Sequence, residues 1–202
     1  NYVPEGCPSS SIVTLNFNKT EKNKSDVKLV WMDGGLRPSH PKAIPAEEYL
    51  GEKYSRSGVL MIGDKGVISF GTYGMNPKLY REGKKTLFFK TDLEDLDNIH
   101  HRAWVEACKQ GYGSKAHSKL TSSFDYSGPF TESVLMGNLA IRSYMLIGTK
   151  SPKYSENSVH VSEHSNYIGR KKLIWDGQNM RITNFDLANK YVQRKSRKGW
   201  EL

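Results

Sequence analysis

An α+β fold with a largely antiparallel sheet and helices packed on one face is what this chain predicts. Three observations carry that expectation. Strict alternation of apolar and polar residues marks strands in the first third of the chain and again near its end. Two stretches between them repeat their apolar residues with helical periodicity. The order is strands, helix, helix, strands, helix, which is not the regular strand–helix alternation of a parallel sheet.

Each element has a local reason. Residues 1–11 are a lead-in rich in Pro, Gly and Ser. Residues 11–18 set Val13, Leu15 and Phe17 against Ile12, Thr14 and Asn16, and residues 26–32 set Val27, Leu29 and Trp31 on one face. The polar turn between them makes a hairpin the local default. Asp33-Gly34-Gly35 closes the second strand, and three prolines make residues 37–46 a loop. Residues 58–70 form a second hairpin, two apolar runs about Gly63-Asp-Lys-Gly66. Residues 71–77 leave that sheet in a turn, and residues 78–81 and 86–90 add edge strands.

Residues 97–110 read as a helix, capped by Asp97 or Asn98 and ended by Gly111. Its apolar stripe is Ile99, Ala103 and Ala107 with Trp104 and Cys108, which puts Cys108 on the inner face. A Gly/Ser/Lys loop follows over residues 111–122. The longest helix is expected over residues 131–147, with Pro129 before it, Gly148 after it and Glu132 as a first-turn acid. Gly137 and Ala140 would let that helix pack closely against sheet or cofactor domain. Residues 151–166 read as an irregular loop. Residues 172–175 and 180–183 flank Asp176-Gly177 as a third hairpin, and a short helix closes the chain near Val192.

Length and composition bound the function. A chain of 202 residues fits one domain, residues 1–202, with enough chain for a sizeable core. No apolar run approaches the ~18 residues of a membrane span, and no signal peptide opens at Asn1, so the compartment stays open, cytoplasmic or periplasmic. The net charge of +9 is dispersed among acids. The dense basic clusters, Arg170-Lys-Lys172 and Arg194-Lys-Ser-Arg-Lys198, come without a helix-turn-helix, a zinc finger or an aromatic RNA-binding motif, so no nucleic acid is expected. Cys7 and Cys108 make neither a disulfide framework nor a metal motif. His160 and His164 stand four apart in a polar loop, too few ligands for a metal site.

Several segments, in order and at family-like spacing, carry a resemblance. They are Trp31-Met-Asp-Gly-Gly-Leu-Arg-Pro38, Gly63-Asp-Lys-Gly66, His100-His-Arg-Ala-Trp-Val-Glu-Ala-Cys-Lys109, and the stretch from Ser123 through Phe124-Asp-Tyr-Ser-Gly-Pro to Arg142. Trp175-Asp-Gly-Gln-Asn-Met-Arg-Ile-Thr-Asn184 and the closing Arg197-Lys-Gly-Trp-Glu-Leu202 complete them. Together they resemble the C-terminal domain of the glucose–fructose oxidoreductase / inositol dehydrogenase family (Gfo/Idh/MocA), in its bacterial-type C-terminal branch. The resemblance implies an open-faced, largely antiparallel β-sheet whose free face packs against another copy, hence a homo-oligomer through the sheet. It also implies an NAD(P)-dependent oxidoreductase acting on a sugar, polyol or glycoside.

Full members open with a Rossmann domain, whose Gly-rich turn lets helix N-terminal amides meet a pyrophosphate. This chain has neither a GxGxxG nor the Glu-Lys-Pro of the family's catalytic lysine. The expectation is therefore a fragment whose Rossmann domain lies outside it. NAD or NADP would serve the full-length protein and none would be bound by this fragment, with no catalytic residue here. Two other readings stand beside this one: a domain of an NAD-dependent glycosidase, and a non-catalytic carbohydrate-binding or dimerisation module.

Within that frame the substrate-side candidates are Trp31, Arg37, His100, His101, Asp125 and Tyr126. An aromatic face stacks on a sugar ring, and a guanidinium grips a hydroxyl or carboxylate. Trp31 alternates in phase with Leu29, so a core position is an equal reading, and Asp33 can close its turn by bonding following amides. His100 and His101 open a helix, where the dipole disfavours the protonated ring, and adjacent positions diverge by about 100° so that one at most faces a pocket. Asp125 and Tyr126 precede the longest helix, where a turn role is as good a reading. Trp31, Arg37 and His100 are expected to converge on one cleft.

Overall fold

The structure is a computed structural model, and it describes residues 6–53, 57–90, 96–146, 148, 167–193 and 196–200. In chain order the elements are β1 (Ile12–Phe17), β2 (Val27–Met32), β3 (Val59–Gly63), β4 (Gly66–Phe70), β5 (Lys78–Tyr80), β6 (Leu87–Phe88), α1 (Leu96–Gln110), α2 (Phe124–Tyr144), β7 (Trp175–Asp176) and β8 (Arg181–Ile182). Short 3-10 turns add Thr72–Gly74, His117–Lys119 and Asp186–Tyr191. The fold class is α+β, and every described strand pairing is antiparallel. The strands are divided among three small sheets, of order β1-β2, β3-β4-β5-β6 and β7-β8. Within the stretch read as one domain, the chain gathers into two compact units, one of Asn1–Arg37 with Thr121–Leu202 and one of Pro38–Leu120.

In the first unit, β1 and β2 pair as the alternation demands. Val13 stands opposite Trp31, Leu15 opposite Leu29 and Phe17 opposite Val27. Val13 is buried, and α2 packs on β1; a methyl built on Gly137 would stand 3.6 Å from Val13 Cγ1. The unit's core is Ile182, Phe185 and Ala188, with Leu139, Leu146, Leu173 and Trp175 packed against it. Side-chain amides finish the terminal hairpin where the backbone ladder stops. Asn184 Oδ1 accepts from Ile174 N at 2.8 Å while its Nδ2 donates to Lys172 O at 2.8 Å. Asn189 does the same for both backbone groups of Ile182, at 2.7 and 3.0 Å. Gly169 docks against the end of α2 so closely that a Cβ there would overlap Ser143 O, 1.7 Å away.

The second unit is built on β3–β6. Its buried centre is Ile44, Val67 and Tyr80, flanked by Ala43, Leu50 and Leu60. Tyr80 is 1% exposed, and its hydroxyl donates to Glu48 Oε2 at 2.6 Å. The same oxygen receives Lys78 Nζ at 2.6 Å. The bonds from Lys78 and Tyr80 hold the Glu48 carboxyl below its ordinary range. Burial first, and then Glu48, push the Tyr80 phenol up.

Several local expectations are corrected. Asp97 and Asn98 lie inside α1, which begins at Leu96, while its end at Gln110 is as expected, with Gly111 N donating to Ala107 O at 2.9 Å. On the expected stripe only Ala107 is buried; Ile99, Trp104 and Cys108 are exposed, Cys108 because it stands about 100° around the helix from the covered position. The long helix begins at Phe124, seven residues before the expected start, so Pro129 lies inside it. Ser123 is extended and its carbonyl takes the N–H groups of Tyr126 and Ser127, which starts the helix upstream of the proline. Glu132 is accordingly a mid-helix residue. The loop expected over residues 151–166, with His160 and His164, lies outside the described residues.

Candidate functional site

One face of α2 carries Glu132, Leu135, Met136, Leu139 and Arg142, at the three- and four-residue spacing that brings helical side chains into line. Trp175 of β7 and Met180 of the hairpin stand along that face, with Tyr191 and Val192 from the terminal turn and Cys7 from the lead-in. Between them lies a groove of ≈ 380 Å³, all of it within the first unit. That volume is in the range of small-molecule sites.

Two contacts organise its polar side. Trp175 Nε1 donates to Glu132 Oε1 at 2.6 Å, joining residues 43 apart in sequence. The bond orients the indole and leaves the carboxylate a second oxygen. The Arg142 guanidinium lies over the Tyr191 ring, 4.7 Å from its centroid. Gly177 is what lets the hairpin come this near: a Cβ there would stand 2.5 Å from Glu132 Oε1. Below the groove, the Asp176 carboxyl is lowered by bonds from the side-chain and backbone nitrogens of Asn179, which fix the hairpin turn. Asn138 adds an amide to the lining. The arrangement offers an indole ring beside a carboxylate, an amide and a guanidinium held over the Tyr191 ring, a set that can bind a small polyhydroxylated molecule by its face and its edges.

The sequence-derived candidates sit elsewhere. Trp31 is 62% exposed on β2, so the core reading of it does not hold, and its Nε1 donates to Asp33 Oδ2 at 3.3 Å. Asp33 does not use its side chain on following amides. It reaches across to Ser11, accepting from the backbone N at 2.5 Å and from Oγ at 2.9 Å, and so locks the end of the first hairpin. Arg37 is exposed at the end of the same stretch. Asp125 and Tyr126 are in the first turn of α2 rather than before it, and the Tyr126 and Phe130 rings stack with centroids 6.4 Å apart. His100 and His101 are exposed on α1 in the second unit, ring centroids 5.9 Å apart. None of the six lines the groove. Among the described residues, no hydrogen bond, ion pair or ring contact joins Trp31 or Arg37 to Asp125 or Tyr126.

Two separate sequence signals bear on the groove. The 132/135/136/139/142 spacing marks a helix face, and Asp176-Gly177 marks a tight turn; only folding joins them. Among the described residues, no group of three or more His, Cys, Asp or Glu could hold a metal ion, and no helix is long and apolar enough to cross a membrane. No protein-family model and no curated protein matches the chain.

Proposed function

We propose that this chain is the substrate-side and oligomerisation domain of an NAD(P)-dependent oxidoreductase acting on a sugar, polyol or glycoside. The observation that carries the reading is the first-unit groove, where Trp175 and Tyr191 stand beside Glu132, Asn138 and Arg142. Sugar rings present C–H faces to aromatic planes and hydroxyl edges to carboxylates, amides and guanidinium groups. Glu132 accepts hydrogen bonds from hydroxyls, Arg142 donates to hydroxyl oxygens, and the hydrogen-bonded indole supplies a fixed face.

NAD or NADP fits elsewhere in such an enzyme. A pyrophosphate needs a glycine-rich turn at a helix N-terminus. The approach to α2, Thr121-Ser-Ser123, has no glycine, and the described residues offer no such cradle there. The cofactor would supply hydride transfer from a Rossmann domain apart from these residues, and this chain's part is to bind and orient the substrate. Assembly through the sheet is supported by β2, which leaves Val27, Leu29, Val30 and Trp31 exposed.

The test is a titration of the chain with a panel of monosaccharides, alditols and methyl glycosides, read by tryptophan fluorescence, beside calorimetry with each nicotinamide cofactor. The expected result is a saturable sugar response that disappears in Trp175→Phe, with no cofactor bound tighter than about 100 µM. Tight cofactor binding, or a sugar response unchanged in Trp175→Phe, defeats the reading. Light scattering is expected to give a dimer or larger; a stable monomer at high concentration removes the assembly role.

A further inference from the structure

The first-unit groove has more apolar surface than a sugar alone can use. Helix α2 lends it Leu135 and Leu139, one helical turn apart, and the terminal turn lends Val192. Met180 borders it from the β7–β8 hairpin. Leu135 is 50% exposed and Met180 52%, so the groove leaves large apolar side chains facing water. At ≈ 380 Å³ it is in the range that encloses a drug-sized ligand, which is larger than one sugar ring.

Met180 is held there against its backbone preference. Trp175 pairs with Ile182 and Asp176 with Arg181, so Met180 is the last residue of the loop that joins the two strands. Its φ is 49°, in the left-handed region that glycine and asparagine enter readily and methionine does not. The turn before it is fixed, because Asn179 donates to Asp176 through its backbone N at 3.1 Å and through Nδ2 at 2.7 Å. A braced turn thus carries a strained residue where glycine would relieve the strain, and such strain gathers at functional sites. What methionine adds over glycine is a flexible thioether on the groove, a group that makes favourable contacts with aromatic rings.

We propose that the groove prefers glycosides with an aromatic aglycone, with Met180 and Leu135 receiving the aglycone ring and Glu132 and Asn138 the sugar hydroxyls. The proposal rests on the sugar reading given above and narrows it from any sugar, polyol or glycoside. A free sugar would leave Leu135 and Met180 wet. A purely apolar molecule would cover the Glu132 carboxylate and the Asn138 amide without giving them partners. A glycoside of a phenol carries both kinds of surface in one molecule. Met180 then sets the aglycone preference, since its unbranched side chain adapts to a flat ring and its sulfur is attracted to the ring edge.

Calorimetric titration of the whole chain tests it, with matched methyl and phenyl β-glycosides of glucose, galactose, mannose and xylose, and with phenol alone. For at least one sugar the phenyl glycoside is expected to bind about tenfold tighter than its methyl partner, and phenol to bind more weakly than the phenyl glycoside. Met180→Gly is expected to bring that pair within about twofold by weakening the phenyl member alone. Its melting temperature should hold, because relief of the left-handed backbone offsets the lost side chain. Met180→Asn, which also accepts that backbone, is expected to lose the preference likewise, and Met180→Leu to keep most of it. A phenyl glycoside that binds no tighter than its methyl partner for every sugar overturns this proposal and leaves the sugar reading standing. Binding of no glycoside overturns both, as does phenol that binds as tightly as the phenyl glycosides. A phenyl preference that survives in Met180→Gly and in Met180→Asn overturns the proposal too.

Discussion

Glu48 and Glu132 each accept a 2.6 Å bond from an aromatic side chain, yet the two units use that bond differently. Glu48 answers a tyrosine hydroxyl that is sealed in the second unit's core, and Lys78 shares its oxygen. The donor there has no water to fall back on, so the bond satisfies a group that would otherwise be stranded. Glu132 answers an indole on the wall of an open groove, which Arg142 also lines. There the bond fixes the orientation of a ring that faces space a ligand can fill. Bond length is the same in both places; what surrounds the pair decides whether it is structural or available for recognition.

The largest effect expected from breaking this contrast is at Glu48. Glu48→Ala strands the Tyr80 hydroxyl and should cost about 2–3 kcal/mol of stability by urea unfolding. The pH dependence follows from the same triad. Glu48 titrates below its ordinary 4.5 when folded, so its contribution is present above that value and is lost as pH falls through the folded pKa. Tyr80 titrates above the ordinary phenol value of 10.0, so its contribution is full below pH 10 and is lost as pH rises further. A stability–pH profile should therefore droop at both ends, and Tyr80→Phe should flatten the alkaline limb.

Next in size is Gly177→Ala. Its methyl would meet Glu132 Oε1, so hairpin and helix must part, at a cost of about 1–2 kcal/mol, with the proposed sugar binding weakened more than stability. The smallest is Trp175→Phe, which removes the N–H and part of the ring. It should change the unfolding free energy by about 1 kcal/mol while eliminating the fluorescence response that the proposed sugar site would give. A Trp175→Phe variant as unstable as Glu48→Ala would show that the groove bond is structural after all.

Much of the fold was legible because its signals are local. Ile12–Phe17 and Val27–Met32 were readable from period-two alternation, and Gly63-Asp-Lys-Gly66 from its turn residues. The end of α1 was readable from Gly111. The start of α2 was not, because Pro129 looks like helix punctuation while the carbonyl of Ser123 starts the helix upstream of it. Cys108 looked internal because periodicity tells which residues share a face and not whether that face is covered. The boundaries between the two units fall in segments correctly read as loops, within the Pro-rich residues 37–46 and within residues 111–122. Nothing in composition distinguishes a loop inside a domain from one between compact units. The groove was the least legible feature of all. Glu132 and Trp175 fall in separate segments that give no sign of pairing, and their partnership exists only after 43 residues of chain have been folded back.

The Asn184 and Asn189 side chains stand in for missing strand backbone at the terminal hairpin, each accepting one backbone N–H and donating to one carbonyl. The hairpin therefore depends on both halves of each amide. Replacing either amide by a carboxylate keeps the acceptor but deletes the donor, and it turns a negative charge toward the carbonyl of Lys172 or Ile182. The Asn184→Asp or Asn189→Asp variant should therefore be less stable to urea near pH 7 than the unaltered chain. Its first loosened segment would be the β7–β8 wall that presents Trp175.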